Sequence, residues 1–229
     1  QCADPKPAKQ HFVTFSDSYH GDTLGSVSVG GIARFQAIFE PLLFKTFQLP
    51  IPDSYRSPTG VNAADLCDHH LRHLEEILAE HHEQIAAVII EPLIQGAAGI
   101  VFHPQGFLAG VRELTKRYNV LLIADEVAVG FGRTGTLFAC EQEKVTPDLM
   151  CLGKGLTGGY LPMSATLATT DIWNAFLGEH AESRTFFHGH TYGANPLAAA
   201  VALATLDLFE QENTLKQMPE KSARLGKLL

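Results

Sequence analysis

The run Val120-Leu121-Leu122-Ile123-Ala124-Asp125-Glu126-Val127 constrains the fold more than any other stretch: an unbroken apolar segment closed by two acids. So short a continuous apolar run is a strand buried on both faces, and such strands belong to parallel sheets with helices packed on each side. A carboxylate at its carboxyl end then stands at the rim of an α/β sheet, where ligands bind. A second run, Leu149-Met150-Cys151-Leu152, leads directly into Gly153-Lys154-Gly155-Leu156-Thr157-Gly158-Gly159. It places Lys154 at the rim of a neighbouring strand, facing the same crevice.

Elsewhere short strand-like runs alternate with helical patterns, the signature of βαβ units. The expected fold is α/β, three layers (α/β/α) around a mainly parallel sheet. Strands are expected at His11 to Phe15, Ala86 to Glu91, Val120 to Ala124, Leu149 to Leu152 and Ser164 to Ala168. Leu66, Leu71, Leu74, Leu78 and Ile85 recur at helical spacing and predict an amphipathic helix from Ala64 to His82. Phe107, Val111, Leu114 and Tyr118 predict another, with Pro104 just ahead of it. A long alanine-rich helix is expected from Pro196. Pro41, Pro50, Pro52 and Pro58 rule out one long helix between residues 41 and 59, which reads as an irregular excursion. Rising polarity from Gln211 suits a linker, so residues 1–210 are expected to form one large domain and 211–229 to open a second.

The formal net charge of −8 argues against a nucleic-acid backbone or an anionic membrane as partner. Cys2, Cys67, Cys140 and Cys151 are scattered without a C-x-x-C pair, which favours a reducing cytoplasm over a disulfide framework. The first residues lack a basic start followed by an apolar stretch, as a secretory signal would have. The longest apolar segment, Leu197 to Leu206, is too short to span a bilayer. The chain lacks an initiating methionine and stops inside a helical pattern at Leu229, so a partial chain is expected.

One carboxylate and one lysine facing a shared cavity are what pyridoxal phosphate requires. The lysine holds the aldehyde covalently, and the acid keeps the pyridine nitrogen protonated so that the ring accepts electrons. Lys154 has the glycine neighbours that let backbone approach a ligand closely, and Asp125 is assigned to the ring nitrogen. Glu126 alternates to the other face, where a structural ion pair is expected. Gly130-Phe131-Gly132-Arg133-Thr134-Gly135 fits G-x-G-x-x-G, but a dinucleotide site needs that loop to open a helix with an acid further on. Neither is legible here. Tyr19, in Tyr19-His20-Gly21-Asp22-Thr23, suits either a stacking platform for a flat ring or an ordinary exposed turn. Phe187 to Pro196 offers hydroxyls and amides for a phosphate at a helix start, or simple capping by Asn195. His69, His70, His73, His81 and His82 read as the solvated face of their helix, and no H-E-x-x-H motif is present.

Together, Ile123 to Val127, Gly130 to Gly135, Asp148-Leu149 and Gly153-Lys154 resemble the two-part signature of the class III (ω-) aminotransferases. That resemblance runs through nearly the whole chain and implies a pyridoxal-phosphate-dependent enzyme with the large domain of fold type I. Ser18 to Thr23, Leu42 to Lys45, Glu91 to Gly96 and His188 to Thr191 narrow it to members that aminate 8-amino-7-oxononanoate in biotin biosynthesis. The resemblance implies that Lys154 carries the cofactor, Asp125 pairs with its ring nitrogen and Val127 packs on one ring face. It further implies that Tyr19 lies near the substrate with Gly189 and His190, and that Thr191 reaches across a homodimer interface to the phosphate. The family's upstream phosphate loop and its carboxylate-binding arginine fall outside the sequence. S-adenosylmethionine is the expected donor. The His188-Gly189-His190 arrangement, where donors of that type often meet proline, keeps lysine as the alternative. Ornithine, 4-aminobutyrate or acetylornithine aminotransferases are rivals within the family, and a dinucleotide oxidoreductase or a non-catalytic scaffold outside it.

Overall fold

Parallel pairing between strands separated by helices organises the chain. The computed structural model describes residues 3–228; the readings made on Gln1, Cys2 and Leu229 lie outside them. The strands are β1 (His11–Phe15), β2 (Phe47–Leu49), β3 (Ile85–Ile90), the hairpin pair β4 (Ile94–Gln95) and β5 (Val101–Phe102), then β6 (Leu121–Asp125), β7 (Leu149–Leu152) and β8 (Ala165–Ala168). The helices are α1 (Leu24–Val29), α2 (Ala33–Gln36), α3 (Leu66–His81), α4 (Phe107–Arg117), α5 (Thr170–Ala175), α6 (Pro196–Gln211) and α7 (Thr214–Gly226). Six strands form one sheet in the order β2-β1-β3-β6-β7-β8. Every neighbour is parallel except β8, which runs antiparallel to β7. The expected α/β architecture is the observed one.

The apolar runs become central strands with one face buried in the core, while Leu121 on the other face of β6 is 40% exposed and Leu149 to Cys151 of β7 are only partly buried. On one side Val13, Phe15, Val88, Ile90, Leu122 and Ala124 pack with Leu74 and Leu78 of α3 and Phe107, Val111 and Leu114 of α4. Burying each large apolar side chain contributes about 1.5–3 kcal/mol. On β1, Thr14 donates its hydroxyl to the Val29 carbonyl at the end of α1. Helix α4 begins after Gly106, whose φ of +84° is one that glycine alone adopts without cost. Beneath the sheet, Arg112 grips Asp148 through two bonds of 2.6 and 3.0 Å, and Asp148 also accepts the Leu122 amide at 2.7 Å. This bidentate pair ties α4, β6 and the start of β7 into one unit.

Two expectations need correction. The proline-rich stretch contains β2, which pairs Phe47 with Val13 and Leu49 with Phe15. Pro50 ends it, and a three-residue edge strand is all that such a sequence permits. The histidines of α3 are not all on its solvated face, because His70 shares the i, i+4 stripe of Leu66, Leu74 and Leu78 and is buried with them. Its ring stands edge-on to Phe107, which meets the buried His103 in the same way from another side.

These two rings make the fold sensitive to acid. Burial holds His70 at about 4 and His103 at about 3, below the ordinary 6.5. Both folded values are depressed, so the stability is complete above about pH 6.5. It declines as pH falls towards 3–4, because the unfolded chain takes up protons that the folded one refuses. For His103 the slope is about 1.4 kcal/mol per pH unit. Exchange of His103 for leucine is expected to remove that part of the acid dependence, read as the urea midpoint at pH 7.5 against pH 5. An unchanged difference between the two pH values would contradict the burial of a neutral ring.

Candidate active site

The register of the sheet decides what can meet at its rim. Ile90 of β3 lies beside Ala124 of β6, and Asp125 lies beside Cys151 of β7. The residues that follow, Glu91, Asp125 and Lys154, therefore all leave the sheet at its carboxyl edge, where an α/β sheet binds ligands.

Asp125 is 8% exposed. One carboxylate oxygen lies 2.7 Å from His20 Nδ1 and the other accepts the Val127 amide at 3.1 Å. A carboxylate only accepts, so the shared proton belongs to Nδ1. His20 Nε2 is then left buried with no partner among the described residues. Neighbouring Glu91 is also buried, and its two oxygens take the amides of Tyr19 at 3.1 Å and Gly96 at 2.9 Å. Burial pushes the Glu91 carboxyl up, with Asp125 adding to the effect and the two amides and His20 opposing it. Cys151 is pushed up to about 11 by burial, then by the field of Asp125. It is a neutral thiol at physiological pH, and no nucleophile competes with Lys154 from that strand.

Lys154 opens the 3-10 turn Lys154–Thr157 directly after β7, with φ of +41°. A side chain in left-handed backbone stores strain, which is found where surroundings over-determine a functional residue. Here two close approaches do so. A Cβ on Gly155 would lie 2.8 Å from the Cβ of Phe131, and one on Gly153 would lie 3.3 Å from a Val127 methyl. The loop after Asp125 is thus pressed against the turn that carries Lys154. Lys154 itself is exposed and lines a cavity of about 1070 Å³ with Tyr160, Met163, Ser164, His190 and Tyr192.

The structure therefore brings Lys154 and His190 into one cavity and sets Val127 against Gly153 at the Lys154 turn, while Asp125 lies beside Cys151 on the adjoining strand and is not part of the cavity lining. Tyr19 is tied to the rim through Glu91, its ring edge-on to Phe35 at 6.0 Å. Asp22 beside its hydroxyl raises the phenol above its usual range. Gly189 and Thr191 lie on the exposed stretch before α6, outside the lining. At the start of α6 the capping alternative is the one observed: Asn195 Oδ1 accepts the amides of Leu197 and Ala198.

Glu126 corrects another expectation. It is fully buried, and accepts the amides of Ala139 at 3.0 Å and Cys140 at 2.8 Å rather than pairing with a cation. Alternation takes Glu126 to the face opposite Asp125, but that face is interior, and the amides at the turn Ala139–Glu143 satisfy the carboxylate. The loop Gly130 to Gly135 runs through successive turns and opens no helix, so the dinucleotide fingerprint fails its structural condition.

His20 and Glu91 carry no assigned role in the sequence reading. A signal for Glu91 is present: like Asp125 it is an acid ending a strand, on the strand next to it. His20 offers only its place beside Tyr19, since pairing it with Asp125 requires the fold.

The site so described sets an exposed lysine and a buried acid on neighbouring strands at the carboxyl rim of a mainly parallel sheet. The class-III aminotransferase family model matches residues 1–229, and the chain belongs to that family. Among curated relatives, the adenosylmethionine-8-amino-7-oxononanoate aminotransferase of Geobacter sulfurreducens is 55% identical over 217 residues, covering 94% of this chain and 48% of the relative. That of Aquifex aeolicus is 56% identical, covering 93% and 47%. The chain spans about half the length of these relatives. The crystal structure of the Methanocaldococcus jannaschii enzyme of the same name superposes with a TM-score of 0.84 at 42% identity, covering 93% of this chain and 47% of that one. An amine transaminase from an uncultivated Pseudomonas species, in its PLP-bound form, gives 0.89 at 37% identity, covering 96% and 50%. The fold is that of the fold type I transaminases.

Proposed function

We propose that this chain is the cofactor-binding part of an enzyme that transfers an amino group to 8-amino-7-oxononanoate, using pyridoxal phosphate. The observation that supports it most is the pairing of β6 with β7, which sets the His20-supported Asp125 and the strained Lys154 turn side by side at one rim. The relatives just described bear that activity in their names. The residues suit the cofactor: an exposed amine for its aldehyde, and a buried carboxylate held in one orientation by His20 and the Val127 amide to meet its ring nitrogen.

Bound pyridoxal phosphate supplies an electron sink for the electrons released at the donor carbon. Lys154 would anchor it and, once displaced by the donor amine, move the proton at the carbon bearing that nitrogen. Asp125 would hold the proton on the ring nitrogen, kept in its rotamer by His20 and the Val127 amide. Val127, packed on Gly153, would fill one side of the ring, and Tyr19 the neighbourhood of the substrate with Gly189 and His190. S-adenosylmethionine is the donor we favour on the relatives' names, with lysine as the alternative on the strength of His190.

A homodimer in the cytoplasm completes the reading. Helix α6 is apolar around most of its circumference, yet its buried residues are Ala198 and Ala202 while Leu197, Leu203 and Leu208 stay exposed. A helix of that composition is ordinarily covered. A second protomer there would also bring cover to the exposed stretch bearing Gly189 and Thr191, consistent with Thr191 serving a phosphate in the partner's site. Residues 1–210 would form the large domain and 211–229 the passage to a second one. No helix of the described residues is long and apolar enough to cross a membrane.

The direct test is a spectral titration of the full-length protein. With pyridoxal phosphate the yellow band of the lysine-bound cofactor should form, and the true donor should bleach it. The bleached protein should then aminate 8-amino-7-oxononanoate. Bleaching by ornithine or 4-aminobutyrate alone, without turnover of that keto acid, would move the enzyme elsewhere in its family.

A further inference from the structure

Helix α3 carries a second group of chemically capable side chains, far from the rim in sequence and absent from the lining of the Lys154 cavity. His69 and His73 stand one turn apart, off the buried stripe of Leu66, His70, Leu74 and Leu78, and both are half-buried. The i, i+4 spacing puts two side chains on one helix face and is the spacing by which paired helical histidines hold a metal. Their ring centroids lie 4.4 Å apart with planes at 67°.

That separation is informative. An imidazole nitrogen binds a divalent ion at about 2.0–2.1 Å, which places the ring centroid about 3.2 Å from the metal. Two imidazoles at neighbouring corners of a square then have centroids about 4.5 Å apart, and at tetrahedral corners about 5.2 Å. The observed 4.4 Å lies within a small ring rotation of either arrangement, so both imidazoles can reach one ion. Glu76 continues the same stripe one turn beyond His73, and its charge is felt at His69 against the opposing field of Arg72. The described residues hold no ready-made group of three or more metal-binding side chains, so water and a rotated Glu76 would complete the shell.

We propose that His69 and His73 form a two-imidazole chelate for a divalent transition-metal ion, Cu²⁺ first and Ni²⁺ next, with Zn²⁺ weaker. The order follows from the general affinity series for nitrogen ligands. The helix is already formed, so little ordering is needed on binding.

Titration of the full-length protein with Cu²⁺, followed by calorimetry and by electron paramagnetic resonance, tests this. The parent should show one site with hyperfine structure from two imidazole nitrogens. His69→Gln and His73→Gln should each weaken that site at least tenfold while circular dichroism stays unchanged. His188→Gln, in the exposed stretch before α6, should leave it intact. Ni²⁺ should raise the melting temperature of the parent and not of either α3 variant, since it binds only the folded helix. Undiminished Cu²⁺ affinity in both α3 variants, no site in the parent, or loss of the site in His188→Gln would each overturn the proposal.

Discussion

Replacing Lys154 with alanine in the full-length protein is expected to abolish the yellow absorbance of lysine-bound pyridoxal phosphate and to lower turnover by at least about 10³-fold. A positioned acid–base group contributes about 10²–10⁴, and here the covalent anchor is lost as well. Lys154→Arg should lose as much, because guanidinium keeps the charge but cannot form the link. Folding offers a control. The φ of +41° at residue 154 strains any side chain, so Lys154→Gly should be more stable than the alanine variant by about 1 kcal/mol while equally inactive. Spectra, turnover and melting temperature together separate loss of chemistry from loss of structure. A Lys154→Ala protein that keeps both colour and turnover would rule out the assignment.

What could be read from the sequence follows a physical division. The runs Val120 to Ala124 and Leu149 to Leu152 announce strands by their apolar continuity, and the structure uses them as neighbouring central strands, with one face in the core and Leu121 on the other left exposed. Their order in the sheet is not local information, yet it places Asp125 opposite Cys151 and hence beside the Lys154 turn. Glu126 shows the limit: alternation gives its face, but only the path of the Gly130 to Gly135 loop reveals that amides rather than a cation await it. His70 shows another limit: its polarity suggests the solvated face, but the i, i+4 stripe of Leu66, Leu74 and Leu78 carries it into the core. The link between His20 and Asp125 spans 105 positions, and no periodicity encodes a contact of that range.

That link shapes the second large effect. Asp125→Asn is expected to bind pyridoxal phosphate and still form the yellow band, because Lys154 is untouched and the Val127 amide still finds an oxygen. Amino transfer should slow by about 10²–10⁴-fold, since a neutral amide cannot stabilise the protonated ring nitrogen. His20→Leu should be milder, about tenfold. It leaves the carboxylate in place and removes the 2.7 Å partner that fixes its orientation, so the group must be ordered anew in each turnover. If His20 acts only through Asp125, the double variant should be no slower than Asp125→Asn alone, because residues of one network do not add. Single-turnover rates for each half-reaction give the three numbers. Rates multiplying in the double variant would mean that His20 has its own contact with the reacting groups, and a near-normal Asp125→Asn would remove the carboxylate from the chemistry.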